Sequence, residues 1–305
     1  MLKSIFTKDV VEKWNRVKSP SWELQLRLAV VKSQYGETDV NSTFDPAFLP
    51  AKADIWGRYL KAALEAGLFE GEQGKELTQR LIGKKDENFH SATSECMACW
   101  FFKERLNLLV KPKPFGRRGK VLDLAVISQD VEMKVEVKTP YEKTRIGETV
   151  ISDNENQMQE TLERANKQFS AGSINILFIA PKLSTPANNS MLTNAFYFVN
   201  KVIITFDNKT GNQIGPGRIK PFPEGQFLNT RFEPDGKPRF TRVSAIICVE
   251  EILKSLNYEP CKMQIDHNVY ILHNPHAINQ APRDIWEDYP QYYEHDDGYL
   301  KWSNT

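Results

Sequence analysis

The chain has 305 residues, 40 basic and 39 acidic, for a formal charge of +1 at neutral pH. A balance this even excludes a global electrostatic attraction to nucleic acid, so any such binding must rest on a local patch. The length holds one large domain or two modest ones, and the longest apolar stretches are strand-sized, too short to span a membrane.

The opening, Met1 to Trp14, is charged throughout and lacks the apolar core of a signal peptide, so a cytoplasmic location is expected. Residues 1–85 read as a helical N-terminal region, with helices over Pro20 to Val31 and over Asp54 to Ala66, the second stopped by Gly67. The next helix is more informative. Counting from Glu95, apolar side chains recur at helical spacing at Ala98, Cys99, Phe102, Leu106 and Leu109, so the core-facing stripe carries a glutamate at its N-terminal end. An ion on such a stripe loses its hydration unless something pairs with it.

Lys111, Lys113, Arg117, Arg118 and Lys120 then place five positive charges in ten residues of a Pro/Gly-containing segment. The segment reads either as an ordinary solvated loop or as a phosphate-binding patch. Val121 to Ile127 is apolar on both faces, as in a central strand, and Asp123 interrupts it. Val131 to Lys138 alternates strictly, with Val131, Met133, Val135 and Val137 on one face and Glu132, Lys134, Glu136 and Lys138 on the other. A tight turn at Gln129-Asp130, with Ser128 opposite Val131, sets Asp123 directly across from Glu136. Two carboxylates about 5 Å apart at Cβ repel unless a cation lies between them. Taken alone, an acid-x-lysine on an alternating strand is a solvated face with a cross-strand pair. An inward glutamate, an aspartate inside an apolar strand and a facing Glu136-x-Lys138 together point to a divalent metal. Hard oxygen ligands select Mg²⁺ or Mn²⁺.

Downstream, Pro140 ends the strand. A helix follows from Asn156 to Ser170, buried along Met158, Leu162, Ala165 and Phe169 and flanked by Gln157, Arg164, Lys167 and Gln168. Strands are expected over Ile174 to Ala180 and Ala195 to Phe206. Residues 207–239 hold five glycines and five prolines, a loop or hairpin excursion too irregular for packed structure. Val243 to Val249 and Asn268 to His273 read as two sheet strands separated by a helix near Glu250 to Asn257, and residues 284–305 form an acidic aromatic tail. Cys96 and Cys99 make a C-x-x-C without a second pair at zinc-site spacing and read, with Cys248 and Cys261, as reduced core thiols. His273 and His276 flank Asn274-Pro275, which breaks any helix that could present both to a metal, so they read as loop residues.

The stretches Ser91-Ala-Thr-Ser-Glu95, Val121-Leu-Asp123-Leu-Ala and Val135-Glu136-Val-Lys138-Thr-Pro, with the helix and strand after them, resemble the PD-(D/E)XK nuclease superfamily over residues 86 to 181. Leu122 stands where the family's name has proline. The resemblance implies an α/β fold, a mixed central sheet flanked by helices with a restriction-endonuclease-like core. That domain spans 86–283, between the helical region 1–85 and the tail 284–305. It also implies Asp123 and Glu136 as direct ligands of Mg²⁺ or Mn²⁺, with the backbone carbonyl of Val137 as a third. Glu95 would hold a second metal or a metal-bound water, Lys138 would orient or deprotonate the attacking water, and Gln168 would stand near the active site. The implied activity is phosphodiester hydrolysis of nucleic acid, DNA ahead of RNA, by an endonuclease that needs no membrane. The competing reading is a binding module or complex subunit that kept the fold and lost turnover.

Overall fold

The computed structural model describes residues 1–37, 44–45, 47–114, 116–140, 154–182, 196, 199–203, 210, 218–222, 240–255, 263–294 and 300–303. Helices α1 (Leu2–Ile5), α2 (Lys8–Asn15), α3 (Trp22–Gln34), α4 (Phe48–Glu65) and α5 (Gly71–Ile82) precede α6 (Asp86–Trp100), and α7 (Asn154–Asn166) lies between strands. The strands are β1 (Leu109–Pro112), β2 (Leu124–Ser128), β3 (Val131–Lys138), β4 (Ile174–Ile179), β5 (Val199–Ile203), β6 (Arg218–Phe222), β7 (Ala245–Ser255), β8 (Met263–His273), β9 (Gln291–Glu294) and β10 (Leu300–Ser303).

The fold is α/β. Among the described residues, eight strands form one mixed sheet in the order β1-β2-β3-β4-β7-β8-β9-β10, and β5 and β6 pair separately. β3, β4 and β7 run parallel to one another. β4 is apolar on both sides because both faces are covered. Ile176 and Phe178 pack with the N-terminal helices, while Leu177 and Ile179 pack with Met158, Leu162 and Phe169 around α7. The N-terminal helices, α6 included, share one continuous core with their face of the sheet. Several local devices hold them in place. Ser21 caps α3 by accepting from the Leu24 N–H at 3.1 Å, and Gly67, at φ +79°, takes the left-handed turn after α4. No helix among the described residues is long and apolar enough to cross a membrane.

Five expectations are corrected. The helix expected near Glu250 to Asn257 is strand through Ser255: β7 pairs with β8 over all 11 of its residues, from Ala245↔His273 to Ser255↔Met263. Glu250, Leu253 and Lys254 favour helix, but such preferences are at most about 0.7 kcal/mol per residue and a complete ladder outweighs them. The stripe from Glu95 does not reach Leu109. α6 ends at Trp100 in a π turn, Phe101–Arg105, and Leu109 opens β1 with its side chain exposed. The apolar run at 121 enters the sheet only at Leu124, and its strand lies near one edge, between β1 and β3. The irregular stretch 207–239 contains β6, which pairs with β5 inside the run expected as one long strand; residues 195, 197–198 and 204–206 of that run lie outside the described residues. The acidic aromatic segment 284–305 supplies β9 and β10 and buries Trp286 completely, against Phe102.

Candidate functional site

The β2–β3 connection is a two-residue turn with Gln129 at φ 45° and Asp130 at φ 69°, both left-handed, as a turn that matches strand twist requires. It sets Ser128 opposite Val131 and Leu124 opposite Val135, so Asp123, one residue before the ladder, stands at the level of Glu136. This is the register read from the sequence. The Asp123 N–H donates to the Val135 carbonyl at 3.2 Å, and the Asp123 Oδ2 accepts from the Val137 N–H at 2.8 Å. The N–H and C=O of one strand residue point to the same side. The Val137 carbonyl therefore also faces the edge where β2 has ended and Asp123 sits.

Val135 and Val137 face the N-terminal helices, so the alternation turns Glu136 and Lys138 toward α7. Glu136 is 3% exposed. Its Oε1 accepts from the Lys138 ammonium, while its Oε2 is buried with no hydrogen-bond partner. Gln168 makes a polar side-chain contact with Glu136. It stands two residues past the end of α7, in the turn that follows, its N–H bonded to the Ala165 carbonyl at 2.9 Å. Lys138 borders a cleft of about 360 Å³ lined also by Glu87, Thr139, Pro140, Glu160 and Arg164.

Glu95 points inward as expected and is 5% exposed. Its partner was not expected: Arg80 of α5 grips both carboxylate oxygens, Nη1 to Oε1 at 2.6 Å and Nη2 to Oε2 at 3.0 Å. The electrostatics tie the three acids together. Burial, then the charges of Glu95 and Glu136, push the Asp123 carboxyl well above its usual range, against the Val137 N–H and Lys138. Burial also raises Glu136, with Glu95 adding to it, although Lys138 and Gln168 pull it down. Among the described residues, no group of three His, Cys, Asp or Glu side chains is placed to share a single metal ion. Asp123 and Glu136 are the pair free to hold one, because Arg80 occupies Glu95.

The basic segment is fastened to this site by its backbone. Lys113, itself left-handed at φ 52°, donates to the Asp123 carbonyl at 3.0 Å, and the Arg117 N–H donates to the Gln168 carbonyl at 2.7 Å. Between them, Gly116 lies so close that a Cβ there would stand 2.7 Å from the Gln168 carbonyl, hence the glycine. Lys111 and Lys120 are exposed and Lys113 and Arg117 half-buried; the Arg118 side chain lies outside the described residues. Cys96, Cys99 and Cys248 are free, buried thiols, and Cys261 is not among the described residues. His273 ends β8 bonded to Gln291 at 2.8 Å, and the His276 backbone is held in the next turn by Asn274.

Comparisons with protein-family models, curated proteins and solved structures find no match. The functional reading therefore rests on the residues of this chain.

Proposed function

We propose that this chain hydrolyses phosphodiester bonds of nucleic acid, DNA first, with Mg²⁺ or Mn²⁺ as cofactor, on a restriction-endonuclease-like core. The observation that carries the reading is the opposition of Asp123 and Glu136 at the open end of the β2–β3 hairpin, with Lys138 two residues on along the same face. The residues fit a hard divalent cation. Burial, with the Glu95 charge adding to it, raises both carboxyls, Glu136 raises Asp123 further, one buried oxygen of Glu136 lacks a partner, and the Val137 carbonyl faces the same edge. Such ions keep several waters and take few protein ligands, so this donor set suffices. When bound, the ion supplies neutralisation of charge on the phosphoryl oxygens and a more acidic water.

The other residues divide the remaining work. Lys138 lines the adjoining cleft, and its ammonium, held by Glu136, would orient the attacking water and offset negative charge on the phosphate. Gln168 steadies Glu136 from the α7 side. Glu95 acts through its charge on Asp123 and Glu136, with Arg80 fixing it, in place of the ligand role expected for it. The basic strap, bonded to the backbone of Asp123 and Gln168, supports phosphate binding beside the site. Asp123→Asn should keep the fold and lower cleavage at least about a hundredfold, since a lost ligand typically has that effect or more. Near-wild-type cleavage by this variant, still dependent on metal, overturns the assignment.

A second reading, a non-catalytic nucleic-acid-binding module, draws on the internal pairing of charge. Arg80 neutralises Glu95 and Lys138 engages Glu136, which leaves a site stable without an ion. It predicts nucleic-acid binding that EDTA does not alter.

A further inference from the structure

A second polar cluster lies on the other face of the sheet, at the carboxyl end of β4, just past the point where its parallel pairing with β7 stops. Ile179 pairs with Cys248, and three residues further on along each chain Lys182 meets Glu251, Nζ to Oε2 at 3.1 Å. The Lys182 N–H bonds the Pro140 carbonyl, so this place adjoins the strand that carries Lys138. α4 supplies Lys52, Trp56 and Tyr59, spaced four and three apart and so on one face. The Lys52 ammonium also donates to Glu251 Oε2, and the Tyr59 hydroxyl donates to Oε1 at 3.1 Å. Both oxygens of Glu251 are thus taken. Burial alone would raise its pKa, yet Lys182 and Lys52 hold it far below the carboxylate range. Glu251 positions two lysines, each with further N–H donors to offer.

These lysines border a cavity of about 230 Å³. Its walls include Trp56 and Phe89, edge to face with centroids 5.2 Å apart, and Trp22, 44% exposed at the rim. Glu23 supplies a carboxylate to the same cavity, 3.5 Å from the His90 ring. His90 is neutral at physiological pH, its pKa pushed down to about 3 by burial and by Lys182, Arg27 and Lys52. The cavity therefore offers flat apolar walls, ammonium donors and a carboxylate acceptor.

We propose that this pocket binds a single unstacked guanine base, its ring against the aromatic walls, its keto oxygen on the lysines and its N–H groups on Glu23. The complementarity is specific: guanine sets a keto oxygen beside two adjacent N–H donors that one carboxylate accepts together, whereas adenine lacks the keto group, uracil offers a single N–H between two keto oxygens, and cytosine separates its keto and amino groups by a ring-nitrogen acceptor. A cavity of about 230 Å³ admits one planar base and no base pair. The proposal goes beyond the hydrolytic reading and does not depend on it.

The test is calorimetric titration of the full chain in EDTA, so that cleavage plays no part. The probes are the 5′-monophosphates of guanosine, adenosine, cytidine and uridine, inorganic phosphate, and a deoxythymidine decamer with or without one central deoxyguanosine. Guanosine monophosphate, the guanine-containing decamer, or both should bind at least about tenfold tighter than their adenine, cytosine, uracil or all-thymine counterparts. Binding by the free nucleotide identifies a mononucleotide ligand, and binding by the decamer alone identifies a base held in a strand. Trp22→Ala, at an exposed rim position, should keep the thermal midpoint and weaken binding at least about fivefold, as loss of one stacking face does. Glu23→Ala should remove the preference for guanine. No binding by any guanine probe, equal binding of all four nucleotides displaced by phosphate, or unchanged affinity in Trp22→Ala overturns the proposal.

Discussion

Adding Mn²⁺ to the protein should raise its thermal midpoint, because the two opposed carboxylates offer it a site in the folded state alone, and mass action sets the size of the rise. Asp123 and Glu136 have folded-state pKa values raised above those of an unfolded chain, so the folded state binds more protons and apo stability falls as pH climbs through those raised values. Every unit of elevation is about 1.4 kcal/mol held against the ionised apo form. An ion that binds only the native state at about a hundred times its Kd adds about 2.7 kcal/mol. Unfolding entropy of about 2.1 cal/mol/K per residue gives about 0.6 kcal/mol/K over 305 residues, so the midpoint should rise by about 4 °C. Asp123→Asn keeps an oxygen to accept the Val137 N–H and loses only the charge. In EDTA its midpoint should match or exceed that of the wild type, and the metal-induced rise should shrink. The assay is scanning calorimetry at pH 7.5 with EDTA or a Mn²⁺ series. A wild-type midpoint unmoved by millimolar Mn²⁺, with Asp123→Asn melting lower in EDTA, refutes the reasoning.

Other outcomes follow from the same geometry. Lys138→Ala, whose side chain is partly exposed at the cleft, should fold normally and hydrolyse at least about a hundredfold more slowly in single-turnover assays. Arg80→Ala strands Glu95 in the interior and should lower stability by about 3 kcal/mol or more by urea unfolding, while Arg80→Met with Glu95→Met should recover most of that loss. His90, His267 and His273 are pushed down to about 3, 4 and 4, chiefly by burial. Each binds its proton in the unfolded chain near pH 6.5 but not in the folded one, so their contribution is full above that pH and is lost as pH falls toward 4. Unfolding in urea at pH 5 and 7 should show His273→Gln with a pH dependence smaller by about 1 kcal/mol per pH unit, the average over an interval in which the unfolded imidazole is only partly protonated.

The hairpin was legible because its information is local: alternation from Val131, a tight turn and a register together fix which acid faces which. Glu95 was legible as an inward residue, but its partner was not, because Arg80 lies on another helix and sequence periodicity says nothing about how two helices face each other. Gln168 is legible on the polar flank of the expected helix, its role implied by the resemblance, and reaches Glu136 from the turn beyond α7. The second pocket was hidden by one misreading. With Glu250 to Asn257 taken as helix, Glu251 loses the strand parity that puts it on the face of Val249, level with Lys182. Lys52 did carry a signal, since it shares the α4 stripe with Trp56 and Tyr59, where an unpaired lysine needs a buried acid. That acid lay 199 residues away.

The central claim is metal-dependent hydrolysis, and one measurement addresses it directly. Purified protein is incubated with end-labelled single-stranded DNA, double-stranded DNA and RNA, each with EDTA, Mg²⁺ or Mn²⁺, alongside Asp123→Asn. The account predicts cleavage of DNA in Mg²⁺ or Mn²⁺, none in EDTA, and none above background from the variant. Intact substrate in every lane, with nucleic acid bound as well in EDTA as with metal, contradicts it and leaves the non-catalytic module.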